Sequence, residues 1–147
     1  MNEFSAAIML IAGGLFAGGS ATFAWSRVPI WRRMPLPEFL TDFDETIRRT
    51  DIVQPALAVV AAVFGIVFGL TADGWARLLA VLGVAGFILI LLASLAVLVP
   101  LQRRIIATSA ADSRNVAEMR GRWFSGNLGR SLIAVASFAL MAVATVV

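Results

Sequence analysis

The sequence predicts an all-α fold: a four-transmembrane-helix bundle with an amphipathic interfacial helix in the first cytoplasmic loop. Three observations carry this. First, four runs contain no charged residue: Phe4–Ser26, Ile52–Ala72, Leu78–Gln102 and Ser131–Val147. A bilayer core about 30 Å thick is crossed by about 20 apolar residues in a helix. Second, 60% of the 147 residues are hydrophobic and 14% are charged, where a soluble domain carries about 25% charge. Third, the Arg residues gather between particular runs. The spans are expected at about 5–26, 52–72, 78–101 and 127–147, with long loops at about 27–51 and 102–126. They leave no room for a second domain, so residues 1–147 are read as one membrane domain.

Arg placement sets the orientation. All 12 basic residues are Arg. Arg27, Arg32, Arg33, Arg48 and Arg49 lie in the first long loop, and Arg103, Arg104, Arg114, Arg120 and Arg122 in the second. The connection at residues 73–77 has a single Arg, Arg77, and the segment before the first span has none, its one charge being Glu3. Cytoplasmic loops are enriched in Arg near span ends. Both long loops are therefore expected in the cytoplasm, with both termini outside. The Ala-, Val-, Gly- and Arg-rich composition suggests a bacterial inner membrane. The net charge of +3 reflects this topology and gives no reason to expect nucleic-acid binding.

The elements follow in order. The first span holds Gly14 and Gly18 and the second Gly65 and Gly69, each pair a GxxxG motif. Between lipid-solvated helices, close backbone approach at small residues does the packing. The expectation is packing of spans one and two, or else a homodimer or partner face. In the first loop, Phe39, Leu40, Phe43 and Ile47 share one face of a helix over Glu38–Arg49. Its acids sit at the start and its Arg at the end, matching the helix dipole. Asp44–Arg48 and Glu45–Arg49 are favourable i,i+4 pairs. Such a helix lies on the membrane surface or over the bundle mouth. Pro55 is tolerated in the first turn of span two. Bulky Phe87–Leu92 gives span three much lipid contact, and Ala93, Ser94 and Ala96 are expected on its packed side. Pro100 ends or kinks that span. The spacing Arg114–Glu118–Arg122 suggests a short separate helix over Asp112–Arg122. Trp25, Trp31, Trp75 and Trp123 fall where membrane-belt residues belong.

The chain has no Cys, no His and no Tyr. Thiol relays, Cys/His zinc sites and Ser-His-Asp machinery are therefore excluded. No cofactor and no metal site is expected. No carboxylate lies inside a span, which argues against a proton relay or an ion-coupled transporter. What remains is a polar set at the cytoplasmic mouth: Gln54, Gln102, Asn127 and Arg130. Gln and Asn can orient a polar ligand, and Arg can neutralise an anion or enolate. The bland alternatives are interhelical hydrogen bonds and a snorkelling Arg. Arg32, Arg33, Arg48, Arg49, Arg103 and Arg104 are candidates for contact with anionic lipid headgroups.

One resemblance extends over nearly the whole chain. It rests on Ala12–Gly19, Phe23, Val28-Pro29, Arg33–Pro37, Phe39, Pro55, Val97–Gln102, Trp123, Asn127 and Arg130. In order and spacing these resemble the anthrone-oxygenase-like family of small four-helix membrane proteins, most of which have no assigned function. The family tends to an Asn-rich end of span three, where this chain has Leu98 and Gln102. Many members have a His near the start of the last span, where this chain has Asn127.

Two functions are weighed on this footing. The favoured expectation is a non-catalytic accessory or structural subunit of a larger membrane assembly, partnered by membrane lipids and by other subunits or a second copy. It rests on the missing catalytic residue types, the GxxxG faces and the loop helix free for docking. The alternative is a cofactor-independent oxygenase-like enzyme, or a binder of a hydrophobic aromatic, quinone-like or lipid ligand.

Overall fold

The computed structural model describes residues 3–147, and its regular elements are helices. Helix α1 spans Glu3–Arg33, α2 Leu36–Thr50, α3 Val53–Thr71 and α4 Gly74–Ala93. A π-helical segment, Ser94–Leu98, joins α4 to α5 (Val99–Ala107), and α6 runs Ser113–Ala144. Among the described residues, four helical stretches are long and apolar enough to cross a membrane. They are α1, the α2–α3 pair, α4 through α5, and α6.

The four long helices pack in a ring. α1 touches α3 and α6, and α4 touches α3 and α6. This is up-down-up-down connectivity, which short antiparallel links favour. The link from α3 to α4 is tight because Gly74 adopts φ +54°, a left-handed conformation that glycine takes without a Cβ penalty. Arg77 then donates from Nε to the Ala72 carbonyl at 2.7 Å, meeting one of the acceptors a helix end leaves open.

Apolar burial falls into two clusters. The first fills the bundle: Met9, Phe16, Phe68, Phe87 and Met141 among small alanines. Phe16 and Phe87 meet across its centre at 5.5 Å. The second lies at the Arg-rich end and joins α1, α2, α5 and α6 through Trp31, Phe39, Phe43, Ile105, Trp123 and Phe124. The face of α2 formed by Phe39, Phe43 and Ile47 is buried in this cluster.

Several expectations need correction. The first long loop is mostly helix. α1 continues through Pro29 to Arg33, and at 31 residues it is about 46 Å long, more than the hydrocarbon core. Helix α4 begins at Gly74, so most of the expected connection at 73–77 is helical. Asp112–Arg122 is no separate helix, since α6 is continuous from Ser113. Among the described residues, Glu118 closes an ion pair with neither Arg114 nor Arg122, while Asp44–Arg48 and Glu45–Arg49 do close.

Pro100 does not end its helix. Proline lacks the N–H for a bond to the i−4 carbonyl and its ring crowds that carbonyl. Here the preceding turn widens instead: the Val99 N–H bonds to the Ser94 carbonyl, an i−5 pairing. The helix then runs on to Ala107. Ala93 and Ala96 are exposed, and the packed side of α4 is made by Ala80, Gly83, Val84, Phe87 and Ile90.

The tryptophans divide. Trp25 and Trp75 are exposed, as belt residues would be, whereas Trp31 and Trp123 are fully buried in the aromatic cluster. The glycines divide as well. A Cβ on Gly65 would stand 2.7 Å from Val84, and one on Gly69 would stand 3.7 Å from Ala80, so this pair faces α4. Gly14 faces Phe138 on α6, and Gly18 faces open space. The glycines of α1 that lie against α3 are Gly13, beside Ala61, and Gly19, beside Gln54. The closest approach, which the sequence reading missed, is α4 against α6. A Cβ on Gly83 would lie 2.8 Å from the Ser137 carbonyl, and one on Gly86 would collide with the Ser137 hydroxyl.

Candidate ligand cavity at the arginine-rich end

A cavity of about 220 Å³ opens between the two apolar clusters. That is far more than the roughly 10–15 Å³ one buried water needs. Its apolar walls include Phe16, Phe23, Val59, Ile90, Leu98 and Trp123. Its polar rim includes Ser20, Asp51, Gln54, Gln102 and Arg130. Three of the four polar residues singled out in the sequence, Gln54, Gln102 and Arg130, therefore border one space. The fourth, Asn127, is fully buried behind it and does not line it.

Each rim residue has a local cause. Gln54 lies on the first turn of α3 and receives a long hydrogen bond of 3.4 Å from the Ser20 hydroxyl. Its amide rests against α1 at Gly19, where a Cβ would stand 2.5 Å from Nε2. Gln102 is brought inward by α5 and is buried. Widening by the π segment rotates residues after it relative to a regular helix, so the segment fixes which side of α5 faces the cavity. Asp51, exposed at the mouth in the turn between α2 and α3, interacts with Gln102, Arg130 and Arg103.

Helix α6 supplies the donors. Asn127 Oδ1 accepts from Arg130 Nη2 at 2.8 Å. The Ser131 hydroxyl is placed between the Ser20 and Asn127 carbonyls at 3.0 and 2.9 Å, tying α6 to α1. Three buried donors have no hydrogen-bond partner: Trp123 Nε1, Asn127 Nδ2 and Arg130 Nε. Two of these residues, Trp123 and Arg130, line the cavity. A buried donor left unmade costs roughly 1–3 kcal/mol, and buried polar groups in native proteins are nearly always satisfied. The lining thus brings two residues with unused N–H donors beside one carboxylate, a set that suits a ligand carrying an acceptor oxygen.

The sequence reading missed Asp51 as a cavity residue, because its neighbours at the end of α2 read as a solvated, ion-paired face. It also missed Asp42. The Asp42 carboxylate accepts from Arg27 Nη2 at 2.6 and 2.8 Å and from the Trp31 indole N–H. Arg120 donates to the Trp31 and Met34 carbonyls at 3.2 and 3.1 Å, closing the end of α1. These partners are far apart in sequence, and no spacing rule joins them. Of the candidate lipid-contacting arginines, Arg48 and Arg49 are held by Asp44 and Glu45. Arg32 lies over the Phe124 ring. Arg33, Arg103 and Arg104 are exposed.

The profile of a family described as anthrone oxygenase matches residues 43–140, about two thirds of the chain, and that region includes Asp51, Gln54, Gln102, Asn127 and Arg130. No curated protein and no solved structure matches.

Proposed function

The chain belongs to the anthrone oxygenase family, and from that premise we propose that it binds a flat aromatic ketone in the cavity and catalyses its oxidation by dioxygen. The observation that carries this reading is that Trp123 and Arg130, each with a buried N–H that lacks a partner, line the same apolar cavity as Asp51.

The proposed chemistry follows from that arrangement. The ketone oxygen of an anthrone takes hydrogen bonds from Trp123 and Arg130. The methylene opposite that oxygen is acidic, because its carbanion delocalises onto the oxygen as an enolate. Asp51 removes one methylene proton, and the fixed positive charge of Arg130 stabilises the enolate as it forms. The enolate passes one electron to dioxygen, and the radical pair closes a carbon–oxygen bond. Asp51 returns its proton to the resulting peroxide. Loss of the remaining methylene hydrogen with cleavage of the O–O bond releases water and leaves the quinone. Ketone and dioxygen thus become quinone and water, with no other electron donor. Gln102 beside Asp51 and Gln54 across the rim orient the carboxylate and the ring edge. Asn127 holds Arg130 from behind and is a positioning residue.

The accessory-subunit reading loses one of its three motives, since the apolar face of α2 is covered by the bundle's own aromatic cluster. The setting we infer is a bacterial inner membrane. The Arg-rich end and both long loops face the cytoplasm, the termini face outside, and α2 lies at the level of the headgroups. Apolar substrate and dioxygen both concentrate in the hydrocarbon beside the cavity.

Binding under anaerobic conditions tests the donor pair. The protein in lipid nanodiscs should bind anthrone at least tenfold more tightly than anthracene, which has no acceptor oxygen to satisfy the buried N–H groups. Equal affinity for the two would remove the basis of the site.

A further inference from the structure

A second, more open hollow lies on the outer surface between α1 and α6, away from the ligand cavity. It is lined by Arg32, Ala117, Arg120, Gly121, Phe124 and Ser125. Two guanidinium groups face it, and no carboxylate lines it. Each is fixed from one side. Arg32 lies 5.8 Å from the centre of the Phe124 ring. Arg120 lies 5.2 Å from that of Phe39 and uses Nη1 on the two α1 carbonyls. Neither forms an ion pair among the described residues. Gly121 leaves the floor open, since a Cβ there would meet nothing. Two cations lining one hollow without a counter-charge make a site for an anion with several oxygens, to which Arg presents a planar fork of donors.

The surface beside the hollow says which anion. On α1, Trp25 lies two turns before Arg32 on the same face and is 87% exposed. On α6, the face of Gly121 and Ser125 continues through Leu128 and Leu132, 49% and 63% exposed. Both strips run from the hollow toward the middle of the bundle. From Gly121 to Leu132 is about 16 Å along a helix. A charged pocket at the head of an exposed apolar strip matches an amphiphile whose phosphate lies at the membrane interface.

We propose that this hollow is a specific site for an anionic phospholipid, its phosphate held by Arg32 and Arg120 and an acyl chain lying along Trp25, Leu128 and Leu132. The site narrows six candidate lipid-contacting arginines to one, Arg32, and adds Arg120. It stands independently of the ligand cavity.

Native mass spectrometry of the full chain in mild detergent tests it, with phosphatidylglycerol and phosphatidylcholine of identical acyl chains as probes. One phosphatidylglycerol should be retained in preference to phosphatidylcholine. Arg32→Gln, at an exposed side chain, should weaken that retention about tenfold. Arg33→Gln, one residue outside the hollow and equal in charge change, should leave it unchanged. Equal retention of the two lipids, or equal loss in both variants, would show diffuse attraction and overturn the site. Displacement of the lipid by excess inorganic phosphate would also overturn it, assigning the arginines to a free anion.

Discussion

At the scale of single residues, side chains at the Arg-rich end act by satisfying or withholding hydrogen bonds. Asp42 is the clearest structural case. It is the acceptor for the buried Trp31 indole and for Arg27. Asp42→Ala leaves both donors without it, so we expect a loss of roughly 1–3 kcal/mol, read as a lower unfolding midpoint in detergent. Asp42→Asn keeps an acceptor oxygen and should recover part of that loss. Gly19 makes a different point. Its missing Cβ is the space the Gln54 amide occupies. Gly19→Ala should push Gln54 out of place and weaken anthrone binding several-fold. Gly18→Ala, whose Cβ meets nothing, should leave binding unchanged. Comparing the two affinities checks the packing directly.

At the scale of elements, the helices were legible in the sequence but their ends were not. The uncharged runs located α1, α3, α4 and α6, because the need for about 20 apolar residues leaves little choice. The extra turns of α1 and α6 are polar on one side and aromatic on the other. Their partner is α2, so they are stabilised by contacts that no local window contains. Trp31 and Trp123 read as belt residues for the same reason: a Trp near a span end has the same local sequence whether it faces lipid or a neighbouring helix. Glycine spacing misled as well. GxxxG pointed at Gly14 and Gly18, whereas the tightest contact is Gly83 and Gly86 of α4 against Ser137 of α6. Gly86→Ala should force these helices apart and cost about 1–3 kcal/mol, measurable as thermal destabilisation. The π segment gives a functional prediction. Pro100→Ala restores an N–H and removes the crowding that the widened turn relieves. The turn can then close to a regular helix, moving Gln102 off the cavity. Anthrone affinity should fall while the unfolding midpoint holds or rises.

At the scale of the whole molecule, two clusters with a cavity between them form one arrangement. The bundle core supplies rigid apolar walls, and the aromatic cluster of α1, α2, α5 and α6 closes the Arg-rich end. The cavity between them brings Asp51, Gln54, Gln102 and Arg130 to one space from three parts of the chain. The sequence named three of those four because polar residues near span ends are conspicuous against an apolar background. Asp51 was hidden by its resemblance to its ion-paired neighbours. The absence of His, Cys and Tyr pointed toward a protein without chemistry; a carboxylate and a half-buried Arg lining one cavity are enough to reopen that question.

Dioxygen uptake with anthrone as substrate, by the purified protein in nanodiscs, tests the central claim most directly. It should be run beside empty discs and the Asp51→Asn variant. We expect protein-dependent uptake of one dioxygen per anthrone with formation of the quinone, and a fall in Asp51→Asn of at least a hundredfold, within the range a positioned base contributes. Uptake no faster than in empty discs, or undiminished in Asp51→Asn, would contradict the claim that this cavity is an oxygenase site with Asp51 as its base.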